Sequence, residues 1–274
     1  MEWFEETHHP SWRQRLRIDR VLFRTETGQQ DLILFENADF GRVLALDGVV
    51  QTTERDEFIY HESLIHTPVL AHGRARSLLI VGGGDGGSAR EALKHPELER
   101  IVMVEIDPSV VELSKEHLPR HSAGAFDDPR LELMFADGAR WVAEAEERFD
   151  VIVVDGTDPV GPGAVLYTEP FYRACRDRLT EHGVFAAQAG NPLDRLHDQA
   201  DELRRLQGVF DAAAFFHASV PTYMGGPMLF AFGTRDASRL GAQIDPARVP
   251  AGLRHYTPDV HRASFALPPW FLRG

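Results

Sequence analysis

From residue 77 onward the chain alternates short apolar runs with helical stretches, and that rhythm limits the fold more than any other feature. The runs are "SLLIV", "RIVMVEID", "LELMFAD", "FDVIVVDG" and "GVFAAQAG", with two later strand candidates in "AAAFFHASV" and "PMLFAFG". Unbroken apolar strands between helices indicate a sheet buried on both faces, so the pattern predicts an α/β domain with a doubly wound, parallel sheet. Ligands of such sheets bind beyond the carboxyl ends of the strands. The acids collect there: Asp85, Glu105, Asp107, Asp137, Asp155 and Asp158 each stand at or just after a strand.

Upstream, residues 12–53 alternate apolar and polar positions between turn signals at Thr27-Gly28, "DFG" and "LDG", which predicts a small antiparallel unit. A helical stretch follows, with Phe58, Ile59, Leu64 and Ile65 near one face. The expected organisation is an N-terminal β-strand domain over 1–65 and a Rossmann-like α/β domain over 66–274.

Charge and cysteine content exclude several function classes. A formal charge of −13 argues against nucleic acid, whose phosphates need a basic face. No stretch approaches the roughly 20 apolar residues of a membrane span. The acidic start "MEWFEETHHPSW" is not a signal peptide. The single cysteine, Cys175, sits at helical spacing from Phe171 and Leu179 and reads as packing. A soluble, cytoplasmic protein without membrane contact is expected.

In "LLIVGGGDGGSAREAL", Gly82, Gly84, Gly86 and Gly87 form a glycine turn between strand and helix, and Glu105 follows at the distance of a ribose-binding acid. Dinucleotides and S-adenosyl sulfonium compounds both fit this plan. Asp85 distinguishes them. Beside a pyrophosphate, a like charge about 4 Å away costs roughly 4 kcal/mol at an effective dielectric near 20. A cationic ligand is attracted instead, although a cap on the following helix also accounts for an Asp here. Asp155 and Asp158 share one proline-marked loop, "VVDGTDPVGPG", where Asx turns explain one acid better than two. Together with Asp85 they outline a negatively charged pocket suited to a polyamine. "HESLIH" places His66 five residues after His61, off the face a zinc helix needs, so no metal site is expected.

The stretches "LALDGVVQTTERDEFIYHESLIHTPVLAH", "IVGGGDGG", "MVEIDPSVVELSKEHLP", "DDPRLELMFADGARWV", "FDVIVVDGTDPVGPGAVLYTEPFY", "VPTYMGGPMLFAFGT" and "YTPDVHRASFALPPW" carry a family resemblance over nearly the whole chain. They resemble the polyamine aminopropyltransferases, and bacterial spermidine synthases most closely. The resemblance implies a Rossmann-like, methyltransferase-type core behind a small N-terminal β-domain, assembled as a homodimer or homotetramer. It implies aminopropyl transfer from decarboxylated S-adenosylmethionine to putrescine, giving spermidine and 5′-methylthioadenosine. The donor is a co-substrate, and no cofactor or metal is required.

Carried over by motif, Gln30 meets the donor, and Tyr60 and His61 border both substrates. Asp85 holds an amine end, Glu105 the ribose, and Asp137 with Gly138 the adenine. Asp155 is the general base and Asp158 receives the diamine. Pro162 borders the nucleoside, and Gln51, Gln188 and Tyr223 are further pocket residues. The proline and glycine marks of "DPVGPGAVLY" suggest a lid ordered by substrates. Other acceptors (agmatine, cadaverine or spermidine) differ only at the far end of the pocket. A methyltransferase using intact S-adenosylmethionine, a dehydrogenase and a non-catalytic polyamine binder are the rival readings.

Overall fold

The structure, a computed structural model, describes residues 1–26, 31–159, 161–193 and 198–272. The turn signal at Thr27-Gly28 and the candidate Gln30 lie outside the described residues.

Two antiparallel units open the chain. Strands β1 (Glu2–Glu5) and β2 (Arg15–Ile18) pair with each other, and β3 (Arg20–Glu26), β4 (Asp31–Asn37), β5 (Gly41–Leu46) and β6 (Val49–Thr53) form a four-stranded meander. Inward positions such as Phe35, Val43 and Ala45 pack with Phe4, Leu16 and Ile18 into one small core.

Helix α1 (Glu57–His72) follows. It runs without a break through residue 65 and packs on the large sheet and on α2 (Gly87–Leu93). The sequence suggests one apolar face, yet nearly every position from Tyr60 to His72 is buried. Its polar residues are buried with partners. Glu62, for example, accepts three main-chain N–H groups, from Arg254, His255 and Tyr256, at 2.8–2.9 Å. Gly73 ends the helix in the left-handed conformation, φ 80°, with its N–H on the Val69 carbonyl.

The large sheet contains β7 (Ser77–Gly82), β8 (Arg100–Glu105), β9 (Leu131–Phe135), β10 (Phe149–Asp155), β11 (Leu179–Gln188), β12 (Ala212–Ser219) and β13 (Pro227–Thr234). Their order is β12-β13-β11-β10-β7-β8-β9. The five strands from β11 to β9 are parallel, while β13 runs antiparallel to β11 and to β12. Helices α3 (Pro108–His117), α5 (Gly138–Glu144), α6 (Glu169–Asp177) and α7 (Gln199–Val209) make the crossovers, with short α4 (Pro119–Ser122) and α8 (Pro258–Ser264) beside them.

Alternate side chains along one strand enter different cores. Leu78 and Ile80 of β7 join Val151 and Val153 of β10 on the face covered by α1, while Leu79, Val81, Ile152 and Val154 join Phe171 and Tyr172 on the other. This double burial is why the strands read as continuous apolar runs. The winding reverses between β7 and β10, where Asp155 stands in register with Gly82. Among the described residues, no helix is long and apolar enough to cross a membrane.

Candidate active site

The reversal point brings together the ends of β7 and β10 and the loops that follow them, where α/β sheets hold their ligands. The glycine turn is tightly packed here. Gly82 has φ +86°, and a Cβ there would stand 2.2 Å from the Asp155 carbonyl oxygen. A Cβ on Gly87 would lie 2.3 Å from the His61 ring, and one on Gly84 would lie 2.9 Å from Glu105 Oε2. Glycine is needed because acidic residues and an imidazole press against the loop.

Asp155 occupies the centre. Its Oδ1 accepts a hydrogen bond from the Tyr60 hydroxyl at 2.9 Å, and its Oδ2 accepts one from Ser88 Oγ at 2.6 Å. Burial lifts its pKa above the ordinary aspartate value. His61 opposes that rise, Asp85 adds to it, and the Ser88 and Tyr60 hydrogen bonds oppose it without cancelling it. The Tyr60 hydroxyl is pushed well above its usual range by burial and by Asp155, so it stays a donor.

His61 lies between carboxylates. Nδ1 is 2.7 Å from Glu57 Oε2, and Nε2 is 3.5 Å from Asp85 Oδ2 and 4.0 Å from Asp155 Oδ2. Burial disfavours the imidazolium, but Asp85 and Glu57 outweigh it and hold the ring protonated well above the usual histidine range. Asp85 is shifted the other way: burial would raise its pKa, and His61 brings it far below the ordinary value. Its Oδ1 accepts from the Gly87 N–H at 2.8 Å, so Asp85 braces the turn with one oxygen and approaches His61 with the other.

Behind His61, Glu57 is bound by Arg90 through two hydrogen bonds of 3.0 and 2.8 Å. Arg90 also reaches Glu91 and the carbonyls of Arg120 and His121. His66 turns away from this site to His95 and Glu91.

The remaining acids line the strand ends. Glu105 closes β8; burial raises its pKa despite N–H donors from Asp107, Ile106 and Gly84. Asp137 caps α5 by accepting from the Arg140 N–H at 3.0 Å, with Gly138 next to it beside Val81. Asp158 Oδ1 accepts from Gln188 Nε2 at 3.0 Å, and Gln188 Oε1 accepts from the Tyr167 hydroxyl at 2.6 Å. Tyr223 donates to the Gln51 main-chain carbonyl at 2.8 Å and packs edge-on to Tyr60, while the Gln51 amide itself turns back to Val49. Pro162 belongs to the turn Gly161–Tyr167, and its side chain lies outside what the structure describes.

Sequence reasoning missed Glu6, Glu57, Ser88 and Arg90. Glu6 is buried, accepts the Val50 N–H at 2.9 Å and is within electrostatic reach of His8 and Asp158. Asp56 accepts from the Thr222 N–H at 2.8 Å, which fixes the segment that carries Tyr223. Only "DEF" and "GGS" marked any of these positions locally.

His61, Asp85 and Asp155 bring ligand-type atoms within 4.8 Å of one another. They do not fit a resident metal. Tyr60, Ser88 and Gly87 already donate to these carboxylates, and a protonated imidazole repels a second cation. The cluster is instead a set of closely placed carboxylates around one internal positive charge.

The model of the spermine/spermidine synthase domain matches residues 57–240, and that of the spermidine synthase tetramerisation domain matches residues 2–54. A polyamine aminopropyltransferase of Pseudomonas aeruginosa is 50% identical over 276 residues, covering 99% of this chain and 96% of the relative. One from Sodalis glossinidius is 49% identical over 280 residues, covering 100% and 97%. Among solved structures, a spermidine synthase in complex with the transition-state analogue AdoDATO superposes with a TM-score of 0.93 at 38% identity, covering 99% of this chain and 94% of that one. The Thermotoga maritima spermidine synthase gives 0.90 at 36% identity, with the same coverage.

Proposed function

The chain belongs to the spermine/spermidine synthase family and is an aminopropyltransferase, and from that premise we propose that it moves an aminopropyl group from decarboxylated S-adenosylmethionine to putrescine. The products are spermidine and methylthioadenosine. The observation that carries this reading is the environment of Asp155: a buried carboxylate of raised pKa, held by Tyr60 and Ser88 at the reversal point.

The donor's sulfonium activates its neighbouring methylene, so the difficulty lies in the acceptor. An alkylamine, like a lysine amine, has a pKa near 10.4 and is an ammonium at neutral pH. In our reading Asp155 takes one N–H proton. The freed lone pair forms the C–N bond, and the C–S bond breaks with its electron pair going to sulfur. A carboxylate alone would hold the amine protonated. The positive charges of His61 and of the donor's sulfonium oppose that effect. Positioning both partners in line contributes up to about 7–11 kcal/mol in ideal cases.

The remaining roles are carried over by motif and are consistent with the strand ends these residues occupy. Asp85 faces the donor's ammonium, where the carboxylate of intact S-adenosylmethionine would be repelled. Glu105 takes the ribose hydroxyls, and Asp137 with Gly138 takes the adenine. Asp158, Gln188 and Tyr223 receive the diamine, with Gln30, Pro162 and Gln51 assigned by motif alone. The acceptor is tested by supplying the decarboxylated donor with putrescine, cadaverine, agmatine or spermidine in turn and measuring methylthioadenosine release. Putrescine should give the highest kcat/KM, and a preference for another amine replaces it as acceptor. The match of residues 2–54 to the tetramerisation domain supports self-association, which we read as a homodimer or homotetramer.

A further inference from the structure

Asp155 has two hydrogen-bond donors, one on each oxygen, and the mechanism above gives Ser88, one of them, no role of its own. Ser88 stands in the first turn of α2, directly after the glycine turn, and is 0% exposed. Its hydroxyl lies 2.6 Å from Asp155 Oδ2, the separation of an O–H donor to an ionised oxygen. The backbone that carries it is confined, because Gly87 abuts the His61 ring. The hydroxyl is thus delivered to the carboxylate by a rigid turn.

Several groups act on Asp155 from the surrounding elements: Tyr60 and His61 of α1, Asp85 of the glycine turn, Glu105 of β8 and Tyr223 of the segment before β13. Asp85 and Glu105 carry like charge and favour the protonated acid, which cannot accept a proton from an amine. Tyr60 and Ser88 donate directly to the carboxylate oxygens and favour the ionised form.

We propose that Ser88 is a positioning residue for aminopropyl transfer: its hydroxyl fixes the plane of the Asp155 carboxylate and keeps it ionised for proton uptake. The inference rests on Asp155 being the base, so the test separates the two. Methylthioadenosine release is measured against pH for the wild type, Ser88→Ala, Ser88→Thr and Asp155→Asn, with a thermal melt of each.

In Ser88→Ala the acid limb of kcat/KM should move about one pH unit upward, giving roughly tenfold lower rates on the acid side and a smaller change on the alkaline side. Ser88→Thr keeps the hydroxyl and should keep the wild-type limb. An unmoved limb in Ser88→Ala overturns the proposal, even if the melting temperature falls. So does a threonine variant that behaves like alanine. If the alanine variant does not fold, Ser88→Cys, a weaker donor of similar size, should move the limb in the same direction, and an unmoved limb there also overturns it. Near-normal turnover by Asp155→Asn removes the premise. An inactive Asp155→Asn beside an unmoved Ser88→Ala limb removes Ser88 alone.

Discussion

The Tyr60 hydroxyl donates to Asp155 at 2.9 Å across 95 residues of sequence, joining the helix that follows the β-unit to the strand end at the centre of the large sheet. Replacing Asp155 with Asn keeps this geometry and removes the base. Turnover should fall by about 10²–10⁴, with methylthioadenosine affinity by calorimetry changed less than threefold. Near-normal turnover would overturn the assignment.

Asp85 stands 3.5 Å from His61 with one oxygen and braces the turn with the other. Asp85→Asn keeps a carbonyl for the Gly87 N–H and loses the charge. The ratio of affinities for decarboxylated over intact S-adenosylmethionine should drop at least tenfold. An unchanged ratio in paired titrations would show that Asp85 does not select the donor.

Glu57 joins His61 to Arg90, so Glu57→Gln removes one of the two carboxylates on the Arg90 guanidinium, Glu91 being the other, and the carboxylate beside His61 Nδ1. A loss of about 1.5–3 kcal/mol is expected near neutral pH. Its carboxyl is held at about 2 against an ordinary 4.5, where burial alone would raise it and His61 and Arg90 prevail. That stability is present above pH 4.5 and is lost as pH falls toward 2. His61 behaves oppositely, because its pKa is raised: its contribution is complete below pH 6.5 and is lost as pH rises through the folded value. Melting curves of both proteins should therefore converge at acid pH. Parallel curves would count against the linkage.

Gly87→Ala introduces a Cβ 2.3 Å from His61 Cε1. Overpacking of this kind costs about 1–3 kcal/mol, but displacement of His61 should lower kcat by more than the melting temperature suggests. Full activity with a normal melt would show that the ring can move without consequence.

What could be read locally was local in cause. The large sheet was legible because strands buried on both faces lose their polar positions, as β7 and β10 do. The acids at strand ends were legible because the fold itself selects that location. Helix α1 was read less well: Glu57, Glu62 and His66 look like a polar face until their partners, from residues 90 to 256, are known. Ser88 was unreadable for the same reason, since a serine in a first helical turn is ordinary until a strand 67 residues later ends beside it. His61, His66, His95 and His121 are likewise buried and bonded to other side chains, through partners distant in sequence for His66 and His121.

Glu62 accepts its three amides from residues 254–256, far beyond the last residue that the proposed chemistry uses. A chain leaving the ribosome therefore carries Tyr60, His61, Asp85 and Asp155 well before it carries those amides. Until they emerge, the helix that presents Tyr60 and His61 holds a carboxylate it cannot bury without cost. The centre of the site is encoded early and completed late, by a segment that contributes no reacting group.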